Sequence, residues 1–196
     1  MKHTAVANGE VVRDALCELV NIGSGSALSS LVQLLGGGRI VPDVPQVVEA
    51  DALSDFADLQ RRGIAIRLGV EGEIPCCLLA VFDEASACKL ASTLTHCSVD
   101  AIVRGSLEES ALLETANIMF CAFLGALGRL VRGDLIPSPP DFEYGVLHTV
   151  VQKRVGDATV VTTHFADIAA GFAGRLLVVV DNQAAAQMAG AGGWRP

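Results

Sequence analysis

The stretch Leu78-Leu-Ala-Val-Phe82-Asp83-Glu-Ala-Ser-Ala87 is echoed by Leu176-Leu-Val-Val-Val180-Asp181-Asn-Gln-Ala-Ala185, 98 residues later. Each copy reads as an apolar strand, then an aspartate able to cap a helix, then helix-forming residues. Two further landmarks recur at nearly the same distance: Asn21 and Asn117 are 96 apart, Pro45 and Pro140 are 95 apart. An offset this constant marks an internal duplication, with copies at about 10–94 and 106–190 and a join from about Thr95 to Arg104. Each half alone is about 95 residues and would leave an apolar face uncovered. The expectation is therefore one domain, 1–196, in which two pseudo-symmetric halves share a core.

In the first half, periodicity predicts a long helix over about Glu10 to Leu35 and an extended stretch from Ile40 to Glu49. A short helical segment, Asp51 to Gln60, follows. Strands at Gly63 to Val70 and Pro75 to Phe82 come next, then a helix capped by Asp83 over Glu84 to Leu94. The second half repeats the order, with a long helix at Leu107 to Val131 and extended segments at Phe142 to Val155, Ala158 to Phe165 and Gly174 to Val180. A closing helix begins near Asp181.

Composition narrows the function. The chain is 51% hydrophobic with mean hydropathy +0.47, which argues against disorder. Its net charge of −8, without a basic cluster, argues against a nucleic-acid partner. The N-terminal residues lack a long apolar core, so no signal peptide is expected and the compartment expected is the cytosol. The second long helix has only fourteen uncharged residues between Glu114 and Arg129, short of the ~20 a bilayer requires, and reads as a core helix. The six cysteines form no CxxC and read as buried, reduced thiols. Cys76 and Cys77 should point to opposite faces of a strand. The histidines, His3, His96, His148 and His164, have no ligand spacing, so no metal site is expected.

The candidate functional residues lie on the two long helices. Ser110-Ala-Leu-Leu-Glu114-Thr-Ala-Asn117 is followed by Pro140, and Asp14-Ala-Leu-Cys-Glu18-Leu-Val-Asn21 by Pro45. A glutamate and an asparagine three apart share one helix face, about 5–6 Å between Cβ atoms. They offer an anionic anchor beside a neutral amide that can hold a water. From Ala111 to Leu124 the only polar side chains are Glu114, Thr115 and Asn117, so no general wet face explains them. Asp14 and Glu18 are like charges at i,i+4, a locally unfavourable arrangement of the kind functional sites tolerate. Two copies suggest two similar surface sites, and chemistry performed on another protein.

Other patterns carry less. Asn21 before Gly23 could cap a helix C-terminus, but Asn117 is followed by Ile-Met-Phe-Cys and could not. Gly23-Ser-Gly25 lacks the strand and third glycine of a dinucleotide fingerprint and reads as close helix packing or a kink. Gly36-Gly-Gly38 reads as a helix terminator.

The pattern Asp/Ser-x3-Glu-x2-Asn-x22-Pro resembles the signature of the CheC, CheX and FliY phosphatases of chemotaxis, CheC most of all. Ser110, Glu114, Asn117 and Pro140 fit every position. Asp14, Glu18 and Asn21 fit the first copy, with Asn21-Ile-Gly-Ser-Gly25 similar to the family's Asn-Ile-Gly-x-Gly and Pro45 one residue late. The resemblance implies an α/β protein of the α+β type, its long helices paired on antiparallel sheet. It implies hydrolysis of the aspartyl phosphate of a CheY-type response regulator, with Glu18 and Glu114 anchoring the regulator's lysine. Asn21 and Asn117 would hold the attacking water. No cofactor of its own is implied, since the Mg²⁺ sits in the regulator. The receptor deamidase CheD is a second partner the resemblance admits. A non-catalytic binding module, or an adaptor at the flagellar switch, is the alternative.

Overall fold

The two halves fold into the same succession of elements, described over residues 2–131, 134–156 and 158–191 of a computed structural model. The first half contains α1 (Lys2–Leu34), β1 (Ile40–Pro42), β2 (Gln46–Val48), a 3-10 turn (Asp51–Asp55), β3 (Arg62–Gly72), β4 (Cys76–Asp83) and α2 (Glu84–Thr95). The second contains α3 (Leu107–Val131), β5 (Leu135–Pro137), β6 (Asp141–Val146), α4 (Leu147–Val155), β7 (Thr159–Asp167), β8 (Phe172–Val180) and α5 (Asn182–Ala191). Helix capping repeats with them. The Asp83 carboxylate accepts from the Ser86 amide at 2.8 Å, and the Asp181 carboxylate from the Ala184 amide at 2.7 Å.

The strands form one antiparallel sheet in the order β1-β7-β8-β4-β3-β5, with β2 also on β7 and β6 also on β3. Exchanging every strand for its counterpart returns the same order read backwards. The register repeats to the residue. A shift of 95 turns Ile40–Asp167 into Leu135–Gly72, and Gln46–Thr162 into Asp141–Arg67. At the centre Leu79 faces Leu177, its own counterpart 98 residues on. Directly opposite residues point to one face of a sheet, so an approximate two-fold axis runs through this pair, perpendicular to the sheet. Neither half closes a sheet alone, because β1 and β2 pair with β7 while β5 and β6 pair with β3. The extra residue before Pro45 falls in the loop between α1 and β1, so Pro45 and Pro140 occupy equivalent gaps between edge strands.

Both sheet faces are covered. Ile64, Ile66, Leu68, Leu78, Phe82, Leu176 and Val178 face a core shared with α1, α2, α3 and α5. Ala65, Leu79, Val81, Leu177 and Val179 face a second core beneath α4 and the 3-10 turn. This explains why β4 and β8 read as continuous apolar runs rather than alternating ones. Cys76 joins the first core and Cys77 the second, as opposite strand faces require.

Two expectations are corrected. α1 begins at Lys2, just over two turns before Glu10. Phe142 to Val155 is not extended throughout: β6 ends at Val146 and α4 follows. The β-branched Thr149, Val150, Val151 and Val155 favour strand locally, but Leu147, Val150, Val151 and Val155 recur at helical spacing and bury against the sheet. As the helix expected to reach Leu35 requires, α1 runs unbroken through Asn21 and Gly23 and ends before Gly36-Gly-Gly38, whose φ values of 73°, 122° and 116° stop it. Residues 9–34 and α3 each meet the length and hydropathy of a membrane-crossing helix, yet half of the most apolar 18-residue stretch of each is buried within the fold.

Gly23 sets how closely α1 approaches α3: a Cβ there would lie 2.5 Å from the buried Phe123 ring. Around Gly25, on the solvent side, a Cβ would meet nothing within 4 Å. Helix propensity alone would make alanine stabilising at both positions. We expect opposite signs in urea unfolding: Gly23→Ala destabilising by about 1–3 kcal/mol through overpacking, and Gly25→Ala stabilising by roughly 0.5–1 kcal/mol.

Candidate functional site

α1 and α3 each keep one stripe clear of the core. On α1 it carries Asp14, Glu18, Asn21, Gly25 and Ser29, and on α3 the counterparts Ser110, Glu114, Asn117, Cys121 and Gly125. Spacings of three and four hold each set on one face. All ten are exposed except Asn117, which is half-buried. Among the described residues, the side chains of Asp14, Glu18, Asn21 and Glu114 have no hydrogen-bond partner, so their polar atoms are free to meet another molecule. Asp14 and Glu18 continue a ladder from the exposed Glu10, one turn earlier. The corresponding run on α3 is Ser106, Ser110, Glu114, so the α1 stripe is the more acidic.

The supports differ between the copies. Arg13 donates to the Val47 carbonyl at 2.9 Å and ties α1 to β2. At the start of α3, Ser106 Oγ accepts from the Glu109 amide at 3.2 Å, and the Glu109 carboxylate accepts from the Gly105 amide at 2.7 Å. That reciprocal cap fixes the first turn of α3, from which Ser110 and Glu114 are reached within two further turns. Pro45 and Pro140 lie in the sheet-edge gaps rather than on the stripes.

The cysteines divide. Burial pushes the Cys76 thiol up to about 12, helped by the neighbouring Cys77, and burial raises Cys77 to about 11. Burial also raises Cys17 and Cys88. Cys97 and Cys121 are exposed, contrary to the expectation of buried thiols throughout. Cys121 sits one turn beyond Asn117 and its thiol approaches Asn117 Oδ1 at 3.9 Å. Its i+4 spacing was the sequence signal for this contact. Among the described residues no group of three or more His, Cys, Asp or Glu is placed to hold a metal ion.

The duplicated sheet thus carries two long helices in equivalent positions, each presenting a Glu/Asn pair on its outward face. In part of its sequence and in its fold the chain is similar to CheC-like chemotaxis proteins. A model of the CheC-like family matches residues 11–49, the segment holding Asp14, Glu18, Asn21 and Pro45. The CheY-P phosphatase CheC of Bacillus subtilis is 27% identical over 170 residues, covering 82% of this chain and 80% of that protein. FliY of Thermotoga maritima shares the fold at TM-score 0.69 and 18% identity, over 93% of this chain and 96% of that one. A chain of the CheX-CheY-BeF3-Mg+2 complex of Borrelia burgdorferi does so at 0.64 and 15%, over 85% and 99%. The FliM middle domain of Vibrio alginolyticus follows at 0.55 and 14%, over 84% and 92%.

The thiol environments yield a direct check. At pH 7.5 a thiol with a pKa near 12 is ionised to roughly 3 parts in 100,000. Iodoacetamide followed by mass spectrometry should mark Cys97 and Cys121 first, and Cys76 and Cys77 only after denaturation. Early labelling of Cys76 would contradict its raised thiol pKa.

Proposed function

We propose that this protein is a phosphatase acting on the phosphorylated aspartate of a CheY-type response regulator. The observation that carries the reading is the pair of outward Glu/Asn sets in the same register on equivalent helices. One water is consumed: its oxygen attacks phosphorus, the bond to the aspartyl oxygen breaks, and carboxylate and inorganic phosphate result. Such transfer asks mainly for positioning and charge stabilisation. Asn21 and Asn117 suit the positioning role, since an amide both accepts and donates without titrating. An oriented water is worth several kcal/mol of barrier. Glu18 and Glu114, three residues earlier on the same face, would take the regulator's lysine. Mg²⁺ belongs to the regulator in this reading, and the whole chain acts as one domain with two sites, in the cytosol where the regulator resides.

A second reading is a docking module, for the flagellar switch or for CheD, with hydrolysis incidental. The fold shared with the FliM middle domain supports it. Phosphate release separates the two. We expect Asn21→Ala/Asn117→Ala to lower turnover of phosphorylated regulator by about tenfold or more, with circular dichroism and melting unchanged because both residues lie off the core. Wild-type turnover in that double variant would overturn the catalytic reading.

The glutamates should act on association. Glu18→Gln and Glu114→Gln should weaken binding of the activated regulator more than they slow the bound reaction. The wild-type apparent affinity should fall between low salt and ~0.3 M salt, as exposed charge pairs are screened. An affinity indifferent to salt would remove the anchoring role.

A further inference from the structure

We infer that the two sites are unequal, and that the residue one turn beyond each asparagine, Gly25 on α1 and Cys121 on α3, sets how freely the amide can reach into a partner. This rests on the phosphatase reading. Gly25 and Cys121 occupy the same place in the duplicated fold, 96 residues apart like the asparagines they follow. On α1 that place is vacant: a Cβ at Gly25 would touch nothing within 4 Å, and Asn21 is exposed with no hydrogen-bond partner among the described residues. Beyond it an open groove of about 470 Å³ runs between α1 and the edge strand, past Leu28, Ser29, Val32, Ile40 and Pro42. On α3 the place is filled. The Cys121 thiol lies 3.9 Å from Asn117 Oδ1, and Asn117 is half-buried.

Two physical effects follow for the α3 site. The thiol is a weak donor, so the hydrogen bond itself costs little to break. Its bulk matters more, because it stands where the surface of a docked protein must come within hydrogen-bond distance of the amide. A water-positioning group gains its effect from placement within a fraction of an ångström. The thiol therefore slows the step that needs the amide in place more than it weakens docking, which the glutamate governs. Cys121 is thus a positioning residue acting through Asn117, and Gly25 marks the unobstructed state.

Single-site variants read this out. Asn117→Ala leaves only the α1 site and Asn21→Ala only the α3 site. Against phosphorylated regulator, the α1-only variant should turn over about threefold or more faster, the difference lying in kcat rather than KM. Adding Cys121→Ala to the α3-only variant should close most of that gap, and Gly25→Cys should slow the α1-only variant by a similar factor. Both changes are on the solvent side of their helices, and melting curves identify any that unfold. As a second readout, iodoacetamide should abolish turnover of the α3-only variant, sparing the α1-only variant and the α3-only variant carrying Cys121→Ala. Equal rates at the two sites, a faster α3 site, or no response to Cys121→Ala would each overturn the inference while leaving the phosphatase reading intact. Turnover that persists in the double asparagine variant would instead remove the reading beneath it.

Discussion

The pairing of β4 with β8 is the interaction on which the rest of the molecule depends. Among the described residues it is the only strand contact between counterparts, and Leu79 opposite Leu177 puts the two-fold relation of the halves at the centre of the sheet. Every other strand pair occurs twice, once in each half of the sheet, in matching register. From that centre the sheet extends symmetrically to edges made by the first strands of each copy, and the helices follow. A mismatch of one residue at β4/β8 would turn one strand's side chains to the wrong core, because the two faces carry different clusters.

The stripes on α1 and α3 follow from this arrangement. Each long helix packs on the sheet and on its counterpart, and each also meets the terminal helix of the other half: α5 for α1, α2 for α3. Only part of the circumference remains for solvent. In helices so apolar, that remnant is the one place where carboxylates and amides can sit without a desolvation cost. A motif confined to a narrow strip of a core helix is rigid by construction, since its backbone is held by the packing behind it. Rigid placement is what a water-orienting side chain needs.

Much of this was legible in the chain, because the duplication supplies each half with a control. The constant offset identified the repeat, the Asp83 and Asp181 caps marked helix starts, and α3 is bounded as its periodicity predicts. The elements misread are those where local preference and tertiary burial disagree. α4 is rich in β-branched residues, and its helix is explained by the face it buries; its counterpart, Asp51 to Gln60, had the helical signal that the repeat could have transferred. The exposure of Cys121 was hidden by its apolar neighbours Phe120 and Phe123, which bury while the thiol turns outward with the stripe. The closeness of Gly23 to Phe123 depends on two helices about a hundred residues apart and has no local signature.

The exchange of edge strands has a consequence for how the chain is made. Ile40 pairs with Asp167, so β1 and β2 emerge from the ribosome more than a hundred residues ahead of β7, the strand they pair with. β3 and β4 can form a hairpin early, but β3 then waits for β5 and β6, and β4 for β8. The first copy of the repeat is thus obliged to remain an open intermediate, its apolar faces uncovered, until the second has been synthesised. Such long-range pairing is slow to form and exposed to aggregation meanwhile. A fold that arose by doubling a unit has in this way lost the ability to fold one unit at a time.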